Sequence, residues 1–232
     1  MSRKTIYFPH SLLVFAILLI ILAFAVGLIF ISVIGLAFAE VGFNPIATTL
    51  ILVGTFVGSY INIPLLKIKT KVPVITDEFV TFFGVLYRIP KVEYGEAITV
   101  IAVNVGGALV PIAVSIYLLY KTTAAVVLYS FISVAVVALV THAVARPVKG
   151  VGIVTPVFIP PLTAALMALI LPTSAPSIVA YVAGVLGTLT GADLSNLKII
   201  PKLGAPVASI GGAGTFDGVF LSGIIAVLLA AL

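Results

Sequence analysis

Residues 11–39 run without one charged side chain. That run constrains the fold more than any other feature of the chain. It exceeds the roughly 20 apolar residues that cross a bilayer. In lipid every backbone N–H and C=O must be satisfied within the segment, so the run has to be helical. The basic start at Arg3 and Lys4 would suit a secretion signal. The run is far longer than the roughly 7–15 residues of a signal's apolar core, so it reads as a retained first helix.

Further runs of the same kind follow. Seven spans are expected, at 11–39, 44–66, 97–120, 123–142, 152–171, 176–194 and 211–232. Composition agrees: 62% of the 232 residues are hydrophobic and only 8% are charged, whereas a soluble domain carries about 25% charged residues. The expected fold is therefore an all-α polytopic membrane protein in one membrane domain, residues 1–232, in contact with the lipid bilayer. Pro156, Pro160 and Pro161 interrupt the fifth span, for which a re-entrant segment is the alternative.

Eleven of the twelve Lys and Arg fall in the four segments on one side of such a bundle. These hold Arg3 and Lys4; Lys67, Lys69, Lys71, Arg88 and Lys91; Arg146 and Lys149; and Lys198 and Lys202. Lys121 alone falls opposite. The bias places the N-terminus in the cytoplasm and the C-terminus outside, in a cell membrane. The same loops account for the pI near 9.5, so no nucleic-acid partner is expected. The chain has no cysteine, which excludes disulfides and thiolate metal sites. No nucleotide, haem or zinc signature is present, and no cofactor is expected.

The longest loop, 66–96, reads as a cytoplasmic insertion. Lys67-Ile68-Lys69-Thr70-Lys71-Val72 alternates with period two, as a strand does. Residues 85–89 are its hairpin partner. Phe79, Phe82, Phe83 and Leu86 have helical spacing, so a short interfacial helix competes with the hairpin.

Two stretches repeat. Gly54-Thr55-Phe56-Val57-Gly58 precedes Leu66-Lys67-Ile68, and Gly187-Thr188-Leu189-Thr190-Gly191 precedes Leu197-Lys198-Ile199. Gly106-Gly107-Ala108 matches Gly211-Gly212-Ala213. Spans one to three and five to seven would then be parallel halves, an arrangement in which transporters place sites at the repeat interface. Chance is the alternative, because glycine is common in membrane helices.

Two acids are the leading site residues. Asp193 lies near the cytoplasmic end of span six. Asp217 lies in the first turns of span seven, with the remaining residues making about 22 Å of helix. Ionisable groups at such depth mark functional sites by default, and two neighbouring carboxylates tend to share a proton. The structural alternatives are a headgroup-boundary position for Asp193 and a helix-dipole role for Asp217. Asn62 and Asn104 would line the same cavity, or hold helices together as membrane amides usually do. His142 and Arg146, four residues apart, share a helix face if span four continues. They could relay protons or bind a carboxylate or lipid phosphate. His10 carries no specific signal, and no metal site is expected.

Three stretches carry a resemblance. They are Gly58-Ser59-Tyr60-Ile61-Asn62-Ile63-Pro64-Leu65, Ala145-Arg146-Pro147-Val148-Lys149-Gly150-Val151-Gly152-Ile153, and the run GAPVASIGGAGTFDG at 204–218. Together they resemble a prokaryotic membrane family known as domain of unknown function 1614, whose name implies no activity. Asp193 and Asp217 on adjacent helices also resemble the dyad of intramembrane aspartyl proteases of the presenilin and prepilin-peptidase type. Those carry the second acid in Gly-x-Gly-Asp. Here Gly212-Ala213-Gly214 is followed by Thr215 and Phe216 before Asp217, and a presenilin-like Pro-Ala-Leu element is missing.

Three functions are compatible with these residues. The first is transport of a small solute or ion through a paired-carboxylate site formed by Asp193 and Asp217 with Asn62, Asn104, His142 and Arg146. The second is an intramembrane aspartyl hydrolase acting on a peptide with Asp193 and Asp217 as catalytic dyad. The third is a non-catalytic scaffold that offers the cytoplasmic loop to a partner. An oligomer is compatible with all three.

Overall fold

The longest apolar run folds as α1 (His10–Glu40). The computed structural model describes residues 10–82, 85–148, 152–200, 206–212 and 217–232. Arg3, Lys4, Phe83, Lys149, Lys202 and the centre of the glycine-rich run, 213–216, lie outside these. Gly42 ends α1, at φ +93°. The Gly42 N–H donates to the Ala39 carbonyl and the Phe43 N–H to the Phe38 carbonyl, both at 2.9 Å. This is the paired C-terminal cap that a left-handed glycine permits. The Phe38 and Phe43 rings close it edge to face at 5.8 Å. Asn44 then caps α2 (Pro45–Gly58), its Oδ1 accepting from the Ala47 N–H at 2.8 Å.

The remaining helices are α3 (Val110–Lys121), α4 (Ala124–Val144), α5 (Ile159–Ile170), α6 (Pro176–Val182) and α7 (Gly218–Ala230). A π-helical turn, Val105–Leu109, leads into α3. Two more, Ala183–Gly187 and Leu189–Asp193, prolong α6. Among the described residues, three stretches are long and apolar enough to cross a membrane: 12–40, 124–144 and 176–196. With four shorter apolar helices beside them, they make this an integral membrane protein. Pro160 and Pro161 do not interrupt α5. They lie in its first turn, where proline's missing N–H costs nothing.

The chain is not all-α. β1 (Asn62–Phe82) and β2 (Val85–Asn104) form one long antiparallel ribbon, from Asn62 opposite Asn104 to Phe82 opposite Val85, with a register shift between Pro64 and Leu66. At about 3.4 Å per residue it is roughly 70 Å long. The hairpin therefore replaces the end of the second expected span and the start of the third. Residues 97–104 are strand, and the helix begins at Val105. The competing interfacial helix does not form, since Phe79 lies in β1 and Leu86 in β2. The β-branched Ile98, Thr99, Val100, Ile101 and Val103 favour this outcome. Two short strands, β3 (Arg146–Val148) and β4 (Gly152–Val154), pair as a second, small hairpin. β5 (Val207–Ile210) pairs with the base of β2 in parallel.

Prolines keep the ribbon two-stranded. Pro64 faces Ala102, Pro73 faces Tyr94, and Pro90 faces Asp77. Along β2 these positions are an even number of residues apart, so all three share one pair type. A proline cannot donate, so that type is the one whose N–H groups point out of the ladder. The outer edges thus lack donors at three places, which blunts pairing with another strand. Exposed ion pairs, Lys69–Glu96 at 3.7 Å and Lys91–Glu78 at 3.2 Å, add little stability. Asp77 accepts from Arg88 and raises its pKa.

In lipid the apolar side chains gain nothing by leaving solvent, so helices associate by close packing. Gly187 provides such a contact: a Cβ there would fall 2.6 Å from Val137 Cβ on α4. At Gly184 the Ser222 carbonyl of α7 would lie at 2.7 Å. The Thr188 hydroxyl donates to Ser222 Oγ at 2.9 Å across the same interface. Tyr181, Phe38 and Phe220 form the aromatic centre of the core, fully buried with Val185 and Ile224. Most of α1 before Ile34 is exposed to the surroundings that lipid would fill.

Gly187→Ala should lower thermal stability in detergent by about 1–3 kcal/mol through overpacking. Gly54→Ala, where nothing lies within 4 Å, should be neutral or stabilising by up to about 1 kcal/mol. Equal melting points for the two variants would refute the packing assignment.

Candidate functional site

Three strand ends meet at the base of the ribbon, and Asn104 ties them. It ends β2 and is completely buried. Its Oδ1 accepts from the Gly107 N–H at 2.7 Å, which caps the π-helical turn before α3. Its Nδ2 donates to the Ser59 carbonyl at 2.8 Å and to Asn62 Oδ1 at 3.2 Å. The Ser209 hydroxyl of β5 donates to the same Asn62 oxygen at 2.6 Å. The α2 terminus, β1, β2 and β5 are thereby linked by one polar cluster. Both Asn104 amide hydrogens and one lone pair of its oxygen are engaged within the cluster.

The two Gly-Gly pairs touch. β2 leads into Gly106-Gly107 and its neighbour β5 leads into Gly211-Gly212. A Cβ on Gly107 would collide with the Gly211 carbonyl, and one on Gly106 with the Thr55 carbonyl of α2. Gly211 and Gly212 have φ of +82° and +80°, a conformation that side chains with a Cβ rarely adopt.

Both acids converge on this turn. Asp193 closes the second π-helical stretch after α6, and its Oδ2 accepts from the Gly211 N–H at 2.7 Å. Asp217 stands at the N-cap of α7, not within its first turns. It makes no side-chain capping bond there. Its carboxyl group lies where a Cβ on Gly212 would be. The carboxylates therefore bracket two consecutive residues, and both side chains are half-buried. π-helical turns insert an extra residue and recur at functional sites. Here one of them ends on Asp193.

His142 and Arg146 do not share a helix face. α4 stops at Val144, Arg146 enters β3, and both side chains are exposed. Neither hydrogen-bonds to the acids. The α4 residues next to the site's helix are Ala138 and Thr141: a Cβ on Gly191 would collide with the Ala138 carbonyl and lie 2.7 Å from the Thr141 Cβ. His10 opens α1, far from this cluster in sequence. Among the described residues no group of three His, Asp or Glu could hold a metal ion. Ser209 was not singled out from sequence, for nothing in a lone serine signals it. The repeated Gly-Gly pairs were the legible sign of the contact.

A family model described as "Protein of unknown function (DUF1614)" matches residues 56–229, most of the chain. The chain belongs to this family. The match runs through the DUF1614 chain from the end of α2 to the end of α7, and so includes the polar cluster, both Gly-Gly pairs and both acids. No curated protein and no solved structure gives a significant match.

Asn104→Ala would leave the Ser59 carbonyl and the Gly107 N–H of this DUF1614 protein unpaired. It should cost about 3 kcal/mol of stability. Asn62→Ala, at an exposed position, should cost less than half as much. Thermal unfolding in detergent compares the two directly. An equal cost would deny Asn104 its central place.

Proposed function

We propose that this protein is an intramembrane hydrolase that cuts an extended peptide with a two-carboxylate centre formed by Asp193 and Asp217. The observation that carries the reading is the convergence of both carboxyl groups, from adjacent helices, on the Gly211-Gly212 turn. Three further features support it. Asp217 is free of a capping bond although it occupies a cap position. β5 ends the sheet order β1-β2-β5, so among the described residues its outer edge is unpaired beside the acids. An extended peptide can pair with such an edge. Asn104, read from sequence either as a cavity residue or as structural glue, bonds within the cluster to Ser59, Asn62 and Gly107.

In this reading the pair holds one proton. The ionised carboxylate takes a proton from water as the water oxygen bonds to the peptide carbonyl carbon. The protonated partner gives its proton to the carbonyl oxygen. The diol then collapses: the C–N bond breaks, the proton held by the base passes to the departing nitrogen, and the other carboxylate takes back a proton from one diol hydroxyl, leaving a carboxylic acid and a pair that again holds one proton.

The topology is part of the same proposal: seven spans, N-terminus cytoplasmic, with the long ribbon in the cytoplasm. The lysines and arginines near the ribbon, Arg146 and Lys198 support that side as the cytoplasmic one. α7 spans only about 20 Å, less than a hydrocarbon slab of about 30 Å. The Gly-Gly turn would then lie at the slab's margin, where irregular backbone is tolerated when it lines a watered recess. Proton-coupled transport is the second reading. It is favoured by the two strand–Gly-Gly–helix units lying side by side, as a parallel repeat would place them.

Purified protein in liposomes with membrane-spanning fluorogenic peptides should release product. Asp193→Asn and Asp217→Asn should each lower the rate by at least about 1,000-fold, as loss of a general acid or base does, with unchanged melting points. Undiminished cleavage in either variant would sink the hydrolase. A proton flux abolished by the same variants, without cleavage, would favour transport. The chain lacks cysteine, so Tyr87→Cys gives a single label site. In right-side-out vesicles it should resist an impermeant maleimide until the membrane is opened.

A further inference from the structure

A second site lies apart from the acids, where α4 leaves the bundle. A recess of about 620 Å³ opens between the end of α4, the β3–β4 hairpin and the start of α5, within the size range of ligand sites. Its walls include Val148, Val154, Val157 and Ile159, and Arg146 stands among them. Val148, Val154 and Val157 remain 39–58% exposed, so the apolar wall is uncovered. The Arg146 side chain makes no hydrogen bond or ion pair with any described residue. No Asp or Glu occurs in the sequence between Glu96 and Asp193. Asp193 itself is turned to the Gly211 N–H. The recess therefore combines an unneutralised guanidinium with an apolar cleft and no acid of its own.

Its depth identifies the complement. α4 is 21 residues long, about 32 Å, and so reaches from one side of a hydrocarbon slab of about 30 Å to the other. Arg146, two residues beyond its end, falls at headgroup level. A guanidinium forks two hydrogen bonds to a phosphate, and basic recesses between membrane helices hold anionic headgroups. We infer that this recess binds one anionic phospholipid, its phosphate on Arg146 and an acyl chain along Val148, Val154 and Ile159. The charge selects the lipid, and the apolar wall excludes a free anion.

Native mass spectrometry of the full chain released from nanodiscs of mixed phosphatidylglycerol and phosphatidylcholine tests this. The wild-type chain should retain one phosphatidylglycerol in preference to phosphatidylcholine. Arg146→Gln should reduce that retention about tenfold or more, since a charged hydrogen bond is worth about 1.5–3 kcal/mol. Thr155→Trp, which fills the recess, should reduce it without removing charge. Lys198→Gln, at an exposed position elsewhere, should leave it unchanged. Undiminished retention by Arg146→Gln would overturn the inference, as would displacement of the lipid by inorganic phosphate alone, which would mark a simple anion site.

Discussion

The carbonyl of Gly211 occupies the space that a side chain on Gly107 would need. That backbone-to-backbone contact fixes the end of β2 against the end of β5, and with them the starts of the helices that follow. Gly106 seats α2 against the same point by the same means. In a bilayer such contacts matter more than they would in water. Lipid chains solvate leucine as well as another helix does, so only dispersion at close range and satisfied polar groups hold the bundle together.

The polar cluster follows from that constraint. Strands that end inside a helical bundle leave backbone groups which lipid cannot satisfy. Asn104 answers this with both ends of its amide, reaching Ser59, Asn62 and Gly107 at once. Asp193 does the same for the other Gly-Gly pair through the Gly211 N–H. The two residues occupy matching posts but differ in consequence. An amide is neutral and ends as glue. A carboxylate retains a second oxygen, which in the proposed reading works together with Asp217. The separate recess at Arg146 shows the reverse case, a side-chain charge with no partner among the described residues.

Much of this was legible in the sequence. The apolar runs predicted the helices, because nothing else crosses lipid from a single segment. Period-two alternation at Lys67–Val72 predicted a strand, and the two acids and two asparagines were recognised as candidates from the cost of placing them in lipid. The hairpin's length was not legible by hydropathy. The stretch 97–104 is as apolar as a span, and an apolar run reads equally as buried helix or buried strand. Its β-branched residues were the cue that favoured the strand. The end of α4 was placed within two residues, at His142 against the observed Val144, but whether the helix ran on to Arg146 was left open. His142 and Arg146 share a face only if the helix continues, and Pro147 pushes the residue before it out of helical geometry.

The sequence by itself determined that the chain lives in a membrane, that most of its helices lie in uncharged runs, and that its family is DUF1614. Those properties are local or additive along the chain, set by transfer free energy and backbone satisfaction residue by residue. Tertiary structure alone decided that Asp193 and Asp217 share one turn, that Asn104 is consumed by its neighbours, and that Arg146 stands apart from both. Each of these depends on which backbones approach closely enough to touch. The glycines permit that approach, but only the packing of β2 against β5 selects the partners.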